Sequence, residues 1–206
     1  EILRCLVGSE MCIRDSSVIA TDEIDGKKVT GIGRMAFASC TTLTDVTIPD
    51  SVTSIGDWAF SDCDAIVNVK IPDTVTYLGE YAFRSCSSLK SVHIPKGIKT
   101  IEMRAFLSCS SLESLTIPEN ITSIGLGAFS LCKKLTDVTI PGNVKTVGEG
   151  AFSNCTELLN VTISDGVTSI GKSAFASCYL LKSITIADSV TSIGEDAFYW
   201  CSNLTS

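Results

Sequence analysis

Hydrophobic and polar positions alternate in a unit of 23 residues that repeats along most of the chain. In each unit a leucine precedes two branched apolar residues two positions apart, as in Leu43, Val46 and Ile48, and a second apolar pair follows, as in Val52 and Ile55. Such alternation with β-branched side chains is typical of short strands that turn their branched residues inward. The pattern predicts a short strand and then a second short extended piece in every unit.

Phenylalanine marks the period most clearly, because every copy occupies the same position of the unit and a cysteine follows it by three residues. The 8 phenylalanines are Phe37, Phe60, Phe83, Phe106, Phe129, Phe152, Phe175 and Phe198. The paired cysteines are Cys40, Cys63, Cys86, Cys109, Cys132, Cys155, Cys178 and Cys201. A constant period of this length indicates a solenoid, in which each unit is a coil stacked on its neighbours. We expect about eight coils.

The segment Ala-Phe-x-x-Cys that follows the strands is too short for an independent helix, but residues three apart share a face of a helical turn. We therefore expect one short helical turn per coil, with Phe and Cys facing inward. We expect the glycine after the second extended piece to allow either a positive φ or a close approach between coils. Glu102 replaces this glycine in one coil. The predicted fold class is an α/β repeat solenoid, with a short strand and a short helical turn in each 23-residue coil.

The beginning of the chain does not fit this period. Residues 5–16 read CLVGSEMCIRDS, which resembles a translated adapter sequence that recurs in assembled sequence data. We expect residues 1–16 to be non-native and residues 17–206 to form the solenoid. Because Ser206 falls within the strand region of the last repeat, we also expect the solenoid to be truncated at its C-terminus.

The repeat motif I-G-x-x-A-F-x-x-C-x-x-L-x-x-V-x-I-P, at 23-residue spacing from about Val29 to Ser206, resembles the BspA-like class of leucine-rich repeats. The resemblance implies a surface or secreted protein of a bacterium or mucosal protist, with a role in adhesion to host proteins, extracellular matrix or other cells. Glu102 at the glycine position, and Ser164 and Ala187 at the proline position, depart from the motif and bear on local geometry only.

Charge and hydropathy narrow the range of partners. The net charge is −7 and the isoelectric point about 4.7, whereas nucleic acids and anionic membranes attract proteins with an excess of Lys and Arg. No apolar run approaches the roughly 18 residues of a membrane-spanning helix. We expect no nucleic-acid partner and no membrane insertion of this segment.

The 10 cysteines suggest a disulfide framework in an exported chain. The period favours another interpretation, because equivalent side chains in stacked coils point in parallel directions that oppose the disulfide torsion. We expect the repeat cysteines to form a buried ladder of free thiols. His93, the single histidine, should face outward and away from them, and no C-x-x-C pair is present. We therefore predict no catalytic residue, no metal, no cofactor and no enzymatic activity.

Two outward columns of the first strand give the candidate binding face. Thr and Ser also suit exposed strands for structural reasons alone. Solenoids bind ligands on extended sheet surfaces, and Lys70 and His93 interrupt the hydroxyl-rich pattern. The predicted ligand-binding residues are Asp45, Thr47, Asn68, Lys70, Ser91, His93, Ser114, Thr116, Asp137, Thr139, Asn160 and Thr162.

Trp58 and Tyr81 occupy the same position in consecutive units, so they should stack on each other. Aromatic residues are enriched in binding hot spots, although packing over the turn explains them equally well.

The sequence thus predicts a non-enzymatic, extracellular or cell-surface module that mediates adhesion to a protein or glycan ligand on host or neighbouring cells. Two alternatives stay open: a structural spacer of a larger surface protein, and an accessory segment of an exported enzyme.

Overall fold

The computed structural model describes residues 26–205 and, for the backbone only, Ile2–Leu3, Ser17–Ile19 and Glu23–Ile24. The chain winds into a leucine-rich-repeat β-solenoid of about seven turns, with coils of about 23 residues. This is one fewer than the eight coils predicted, because the 8 phenylalanines mark the ends of seven complete repeats. Most of residues 1–16 lie outside the described residues, so the predicted boundary at residue 17 stays a prediction.

One face of the solenoid is formed by the predicted first strands, which run parallel. They are β2 (Ser17–Ile19), β6 (Asp45–Thr47), β8 (Asn68–Lys70), β10 (Ser91–Val92), β12 (Ser114–Leu115), β14 (Asp137–Ile140), β16 (Asn160–Ile163) and β18 (Ser183–Ile186). Hydrogen bonds group them as β2-β6-β8, β10-β12 and β14-β16-β18. From β6 onward, each paired residue faces the residue 23 positions later, as Asp137 does with Asn160, so side chains align in columns.

The second extended pieces form another set of parallel strands. They are β1 (Ile2–Leu3), β5 (Gly31–Ile32), β7 (Ser54–Ile55), β9 (Tyr77–Leu78), β11 (Thr100–Ile101), β13 (Ser123–Ile124), β15 (Thr146–Val147), β17 (Ser169–Ile170) and β19 (Ser192–Ile193). They pair as β1-β5-β7-β9 and β11-β13-β15-β17-β19. A short antiparallel pair, β3 (Glu23–Ile24) and β4 (Lys27–Lys28), lies near the N-terminus.

The core is a set of columns in which each side chain packs on its own counterpart in the next coil. Phe60, Phe83, Phe106, Phe129 and Phe152 are fully buried, and successive rings are stacked with centroids 5.1–5.7 Å apart. Burying a phenylalanine contributes about 1.5–3 kcal/mol. Because a coil can bury its ring only against a neighbour, stability comes from stacking.

The predicted helical turn is wrong, and the α/β assignment with it, because the Ala-Phe-x-x-Cys segment forms consecutive β-turns; no helix occurs within residues 26–205. Along this segment the backbone N–H groups donate alternately within their own coil and to the next coil. Those of Ala36 and Cys40 close turns onto the carbonyls three residues earlier, whereas the Phe37 N–H donates to the Ala59 carbonyl of the next coil at 2.7 Å. An α-helix would keep these groups inside its own segment. The segment therefore adds a third ladder between coils, which we call the turn face.

The cysteine side chains face inward as predicted, and Cys63, Cys86, Cys109, Cys132, Cys155, Cys178 and Cys201 are free. Each of these thiols donates to a phenylalanine carbonyl of the preceding coil, as Cys109 does to Phe83 at 3.2 Å. The prediction of a free thiol is wrong for Cys40, which is disulfide-bonded. Cys40 belongs to the first Phe-Cys repeat, so no earlier phenylalanine carbonyl is available to accept its thiol.

The glycine after the second strand is required by close approach, not by a positive φ. A Cβ on Gly79 would lie 2.5 Å from the backbone nitrogen of Asp57 in the preceding coil. Where Glu102 takes this position, β9 and β11 do not pair. The Phe83–Phe106 separation of 5.7 Å exceeds the 5.1 Å of the Phe60–Phe83 step before it, although the last step, Phe175–Phe198, is also 5.7 Å. We attribute the missing strand pairing to the extra side chain, which opens the coil spacing there.

This crowding predicts an inverted order of stability at position 102. Alanine normally stabilises a chain by about 0.5–1 kcal/mol relative to glycine, yet Glu102→Gly should unfold at a higher urea concentration than Glu102→Ala because it alone removes Cβ. As the reciprocal change, Gly79→Ala should lower the free energy of unfolding by about 1–3 kcal/mol. A more stable Glu102→Ala protein would show that crowding does not open this step.

Because the thiols are buried, we expect the free energy of unfolding to fall at alkaline pH. Burial raises the pKa of Cys63, Cys109 and Cys155 to about 12 from an ordinary value near 9. Between these values only the unfolded chain releases the proton, so the free energy of unfolding should fall by about 1.4 kcal/mol per pH unit for each thiol. Urea titrations from pH 7 to pH 10.5 measure the slope. Cys109→Ala should reduce it by one thiol's share, and an unchanged slope would contradict the assignment.

Candidate binding surfaces

The strand face consists of the two outward columns of the first strands, and it holds all twelve predicted ligand-binding residues. Every one of them is exposed. Their inward neighbours, such as Val46, Val69 and Val138, are buried. The alternation predicted from the sequence is thus confirmed, and the parallel register places equivalent polar groups one coil apart.

The two columns of the strand face differ in hydrogen bonding. In the first column, the Asn68 side-chain amide donates to Asp45 at 3.1 Å and that of Asn160 donates to Asp137 at 2.8 Å. The second column contains Thr116, Thr139 and Thr162, whose hydroxyls have no partner within the described part of the chain. The Asp and Asn residues of the first column are bonded to each other, whereas these threonine hydroxyls are available to a ligand.

His93 is held at the edge of the strand face by an acidic residue of the preceding coil. Its Nε2 lies 2.9 Å from Asp73 Oδ1, which also accepts the backbone N–H of Lys96 at 2.9 Å. The Lys96 N–H and then His93 hold the pKa of Asp73 below its ordinary value. The imidazole is therefore oriented by a carboxylate, and it lies outside the solenoid while the thiols lie inside.

The turn face carries an aromatic pair in its N-terminal half. Trp58 and Tyr81 are stacked with ring centroids 4.0 Å apart and planes 8° apart, which confirms the predicted stacking. The Arg84 guanidinium lies 5.6 Å from the centre of the Trp58 ring, and that of Arg104 lies 5.7 Å from the centre of the Tyr81 ring. Cation–π contacts of this geometry contribute about 0.5–1 kcal/mol at exposed sites.

The arginines are fixed by further contacts that sequence reasoning missed. Arg104 donates to the Tyr81 hydroxyl at 2.7 Å, and Arg84 pairs with Asp62 at 2.9 Å. The available signal was spacing, because Arg104 follows Tyr81 by 23 residues and so continues the column that begins with Met35 and Trp58. We call Trp58, Tyr81, Arg84 and Arg104 the aromatic patch.

Three carboxylates border the aromatic patch on the side of the second strands: Asp57, Glu80 and Glu102. Asp57 Oδ1 accepts the Tyr77 hydroxyl at 3.0 Å and the Glu80 backbone N–H at 3.1 Å. Desolvation raises the pKa of Glu102, and repulsion from Glu80 and Asp57 adds to the effect. Within residues 26–205, no Lys or Arg forms a salt bridge with any of the three.

The turn face also contains a shallow depression of about 360 Å³ over coils that carry small residues. It is lined by Asp64, Ser85, Ser87, Ser108, Ser110, Leu131 and Lys133. Ser87 and Ser110 donate to backbone carbonyls of the preceding coil. The depression thus presents hydroxyl groups on an open surface.

Metal binding and thiol reactivity can be checked among the residues that the structure describes. Their His, Cys, Asp and Glu side chains make no group able to hold a metal ion. A reactive cysteine needs a lowered pKa. Burial raises the pKa of Cys63, Cys86, Cys109, Cys132 and Cys155, whereas a hydrogen bond with the Cys178 side chain lowers the pKa of Cys201, the half-buried thiol of the last coil. Among the same residues, no helix has the length and apolar character needed to span a bilayer.

Known structures with the same architecture support the fold. A leucine-rich repeat protein of T. pallidum is 30% identical and has a TM-score of 0.68; the match covers 92% of this chain and 78% of that one. A leucine-rich cell surface protein of Faecalibacterium prausnitzii A2-165 is 27% identical, with a TM-score of 0.60, and the match covers 89% of this chain and 66% of that one. The chain therefore spans about two thirds of the second protein.

A comparison with curated proteins found no match. The family model for the BspA type leucine rich repeat region matches residues 19–136 and 122–206, with 6 copies of the repeat. These ranges cover nearly all of the solenoid, and the repeat they describe is the one whose coils stack through Phe and Cys. The chain belongs to the BspA-type leucine-rich repeat family.

Proposed function

We propose that the chain is a non-enzymatic binding module of a cell-surface or secreted protein, and that it mediates adhesion to a protein or glycan on host or neighbouring cells through the strand face. The observation that carries this proposal is the exposure of all twelve predicted residues in two continuous columns. Extended polar sheet surfaces of this kind are the usual binding surfaces of solenoids.

Similarity to a known structure supports a location at the cell surface. The F. prausnitzii neighbour is described as a leucine rich cell surface protein, and this chain shares its architecture at 27% identity. An exposed adhesive face serves a protein that meets its ligand outside the cell.

Specificity along the strand face would come from the residues that interrupt its threonine column. Lys70 and His93 lie next to each other in that column, and both are exposed. Asp73 orients the imidazole of His93. Lys70 supplies a cation and His93 a ring nitrogen, in a column that otherwise offers hydroxyls. These two residues would therefore fix the position of a ligand with acidic or hydrogen-bonding groups along the solenoid.

A spacer function is the second candidate, because an unbroken core supports it. The phenylalanine column runs without interruption from Phe37 to Phe198, and backbone hydrogen bonds of the turn face join every pair of successive coils along it. Such a module would hold another domain at a fixed distance without binding anything itself.

Binding to immobilised fibronectin and other matrix proteins, and to a panel of surface glycans, tests the proposal. We expect at least one ligand to bind, and Lys70→Ala and His93→Ala to weaken that binding by about fivefold or more. Each variant removes one polar group from the strand face and leaves the buried columns intact.

Lys99→Ala is the matched control, because Lys99 is an exposed lysine next to the second strand of the same coil as His93. It should bind like the unmodified protein. Equal losses in Lys70→Ala and Lys99→Ala would move the site off the strand face, and failure to bind any ligand would favour the spacer.

A further inference from the structure

The aromatic patch keeps bulky side chains where the backbone favours glycine. Trp58, Tyr81 and Arg104 have φ of 59°, 56° and 52°, in the left-handed region. The same column holds Gly127 and Gly150 in later coils, also with positive φ. A left-handed conformation costs an L-residue roughly 1–2 kcal/mol relative to glycine. Glycine would fold this turn equally well, so the turn itself does not require the large side chains.

The patch is also rigid. Stacking fixes both rings, and Arg104 and Arg84 are each tied to a neighbour by a hydrogen bond or ion pair. Both aromatic side chains are only half-buried. Trp, Tyr and Arg are the residue types that dominate binding hot spots, and anchors that are already ordered lose little conformational entropy when a partner arrives.

Charge complementarity indicates what kind of partner would dock. The border of Asp57, Glu80 and Glu102 places three carboxylates beside the rings, and no salt bridge neutralises them within residues 26–205. Of the two arginines in the patch, Arg84 is neutralised by Asp62 and Arg104 bonds the Tyr81 hydroxyl, so the three carboxylates outnumber the one guanidinium that has no acidic partner. Arginine and lysine combine an apolar stem with a charged head. Their stems fit against an aromatic surface while their heads reach carboxylates.

We propose that the aromatic patch and its acidic border form a second docking surface, distinct from the strand face, that receives an arginine- or lysine-bearing segment of a partner protein. The partner's aliphatic stems pack on Trp58 and Tyr81, and its cationic heads pair with Glu80 and Glu102. A second copy of this chain is the poorer occupant, since each copy has a net charge of −7.

Later coils provide a natural comparison. Glu149 occupies the same position of the unit as Glu80, but Gly150 follows it where Tyr81 follows Glu80. A carboxylate in the same position is therefore present there without a ring beside it. If charge alone attracted the partner, both coils would bind it.

The probe is a short capped peptide in which arginine alternates with serine around a central leucine; the same peptide with glutamate in place of arginine is the negative control. Isothermal titration calorimetry with the whole chain measures binding. We expect the arginine peptide to bind and the glutamate peptide not to bind. Trp58→Gly and Glu80→Gln should each raise Kd by about fivefold or more, whereas Glu149→Gln should leave it within about twofold.

Trp58→Gly uses the residue that the column itself carries at Gly127 and Gly150, so the fold should be kept; circular dichroism before and after heating checks this. Glu80→Gln removes one half-buried charge with little change of shape and gives a second route to the same conclusion. The proposal is overturned if the arginine peptide does not bind, if Glu80→Gln and Glu149→Gln weaken binding equally, or if Trp58→Gly binds as tightly as the unmodified chain.

Discussion

Everything in this molecule depends on each coil lying about 5 Å from the next, close enough for every inward side chain to pack on its own counterpart. The phenylalanine rings meet at 5.1–5.7 Å, and the phenylalanine carbonyl accepts both a backbone N–H of its own turn and a thiol of the next coil. The spacing explains why the columns are nearly invariant. A cysteine supplies a small, weakly polar donor in an apolar core, and glycine is needed where Cβ would strike the neighbouring backbone.

A core repeated in this way leaves variation to the surface, and the surface is where coils differ. The strand face is polar throughout but changes character at Lys70 and His93. The turn face carries the aromatic patch with its acidic border in its early coils, Gly127 and Gly150 in later ones, and Tyr199 and Trp200 in the last. Both surfaces are rows of side chains on a fixed lattice, so a single substitution alters one contact of a ligand without disturbing the fold.

Sequence reasoning predicted the parts that follow from period and alternation: the coil length, the inward columns, the first strands, the outward residues and the Trp58–Tyr81 stack. The predicted helical turn was wrong, because residues three apart lie on the same side in consecutive β-turns as well as in a helix. Residue spacing also does not show in which direction the backbone N–H groups point. The free thiol predicted for Cys40 was wrong, because periodicity describes interior coils and the sequence before this coil carries no phenylalanine in the repeat position. The acidic border was not predictable either, since Glu102 joins Asp57 and Glu80 only through the stacking of three coils.

The most direct test of the stacked-coil account is a nuclear Overhauser experiment on protein with protonated phenylalanine in a deuterated background. Each ring should show cross-peaks to the rings 23 positions before and after it, as for Phe83 with Phe60 and Phe106, whose centroids lie 5.1 Å and 5.7 Å away. Rings that contact no phenylalanine, or that contact phenylalanines from non-adjacent repeats, would contradict it.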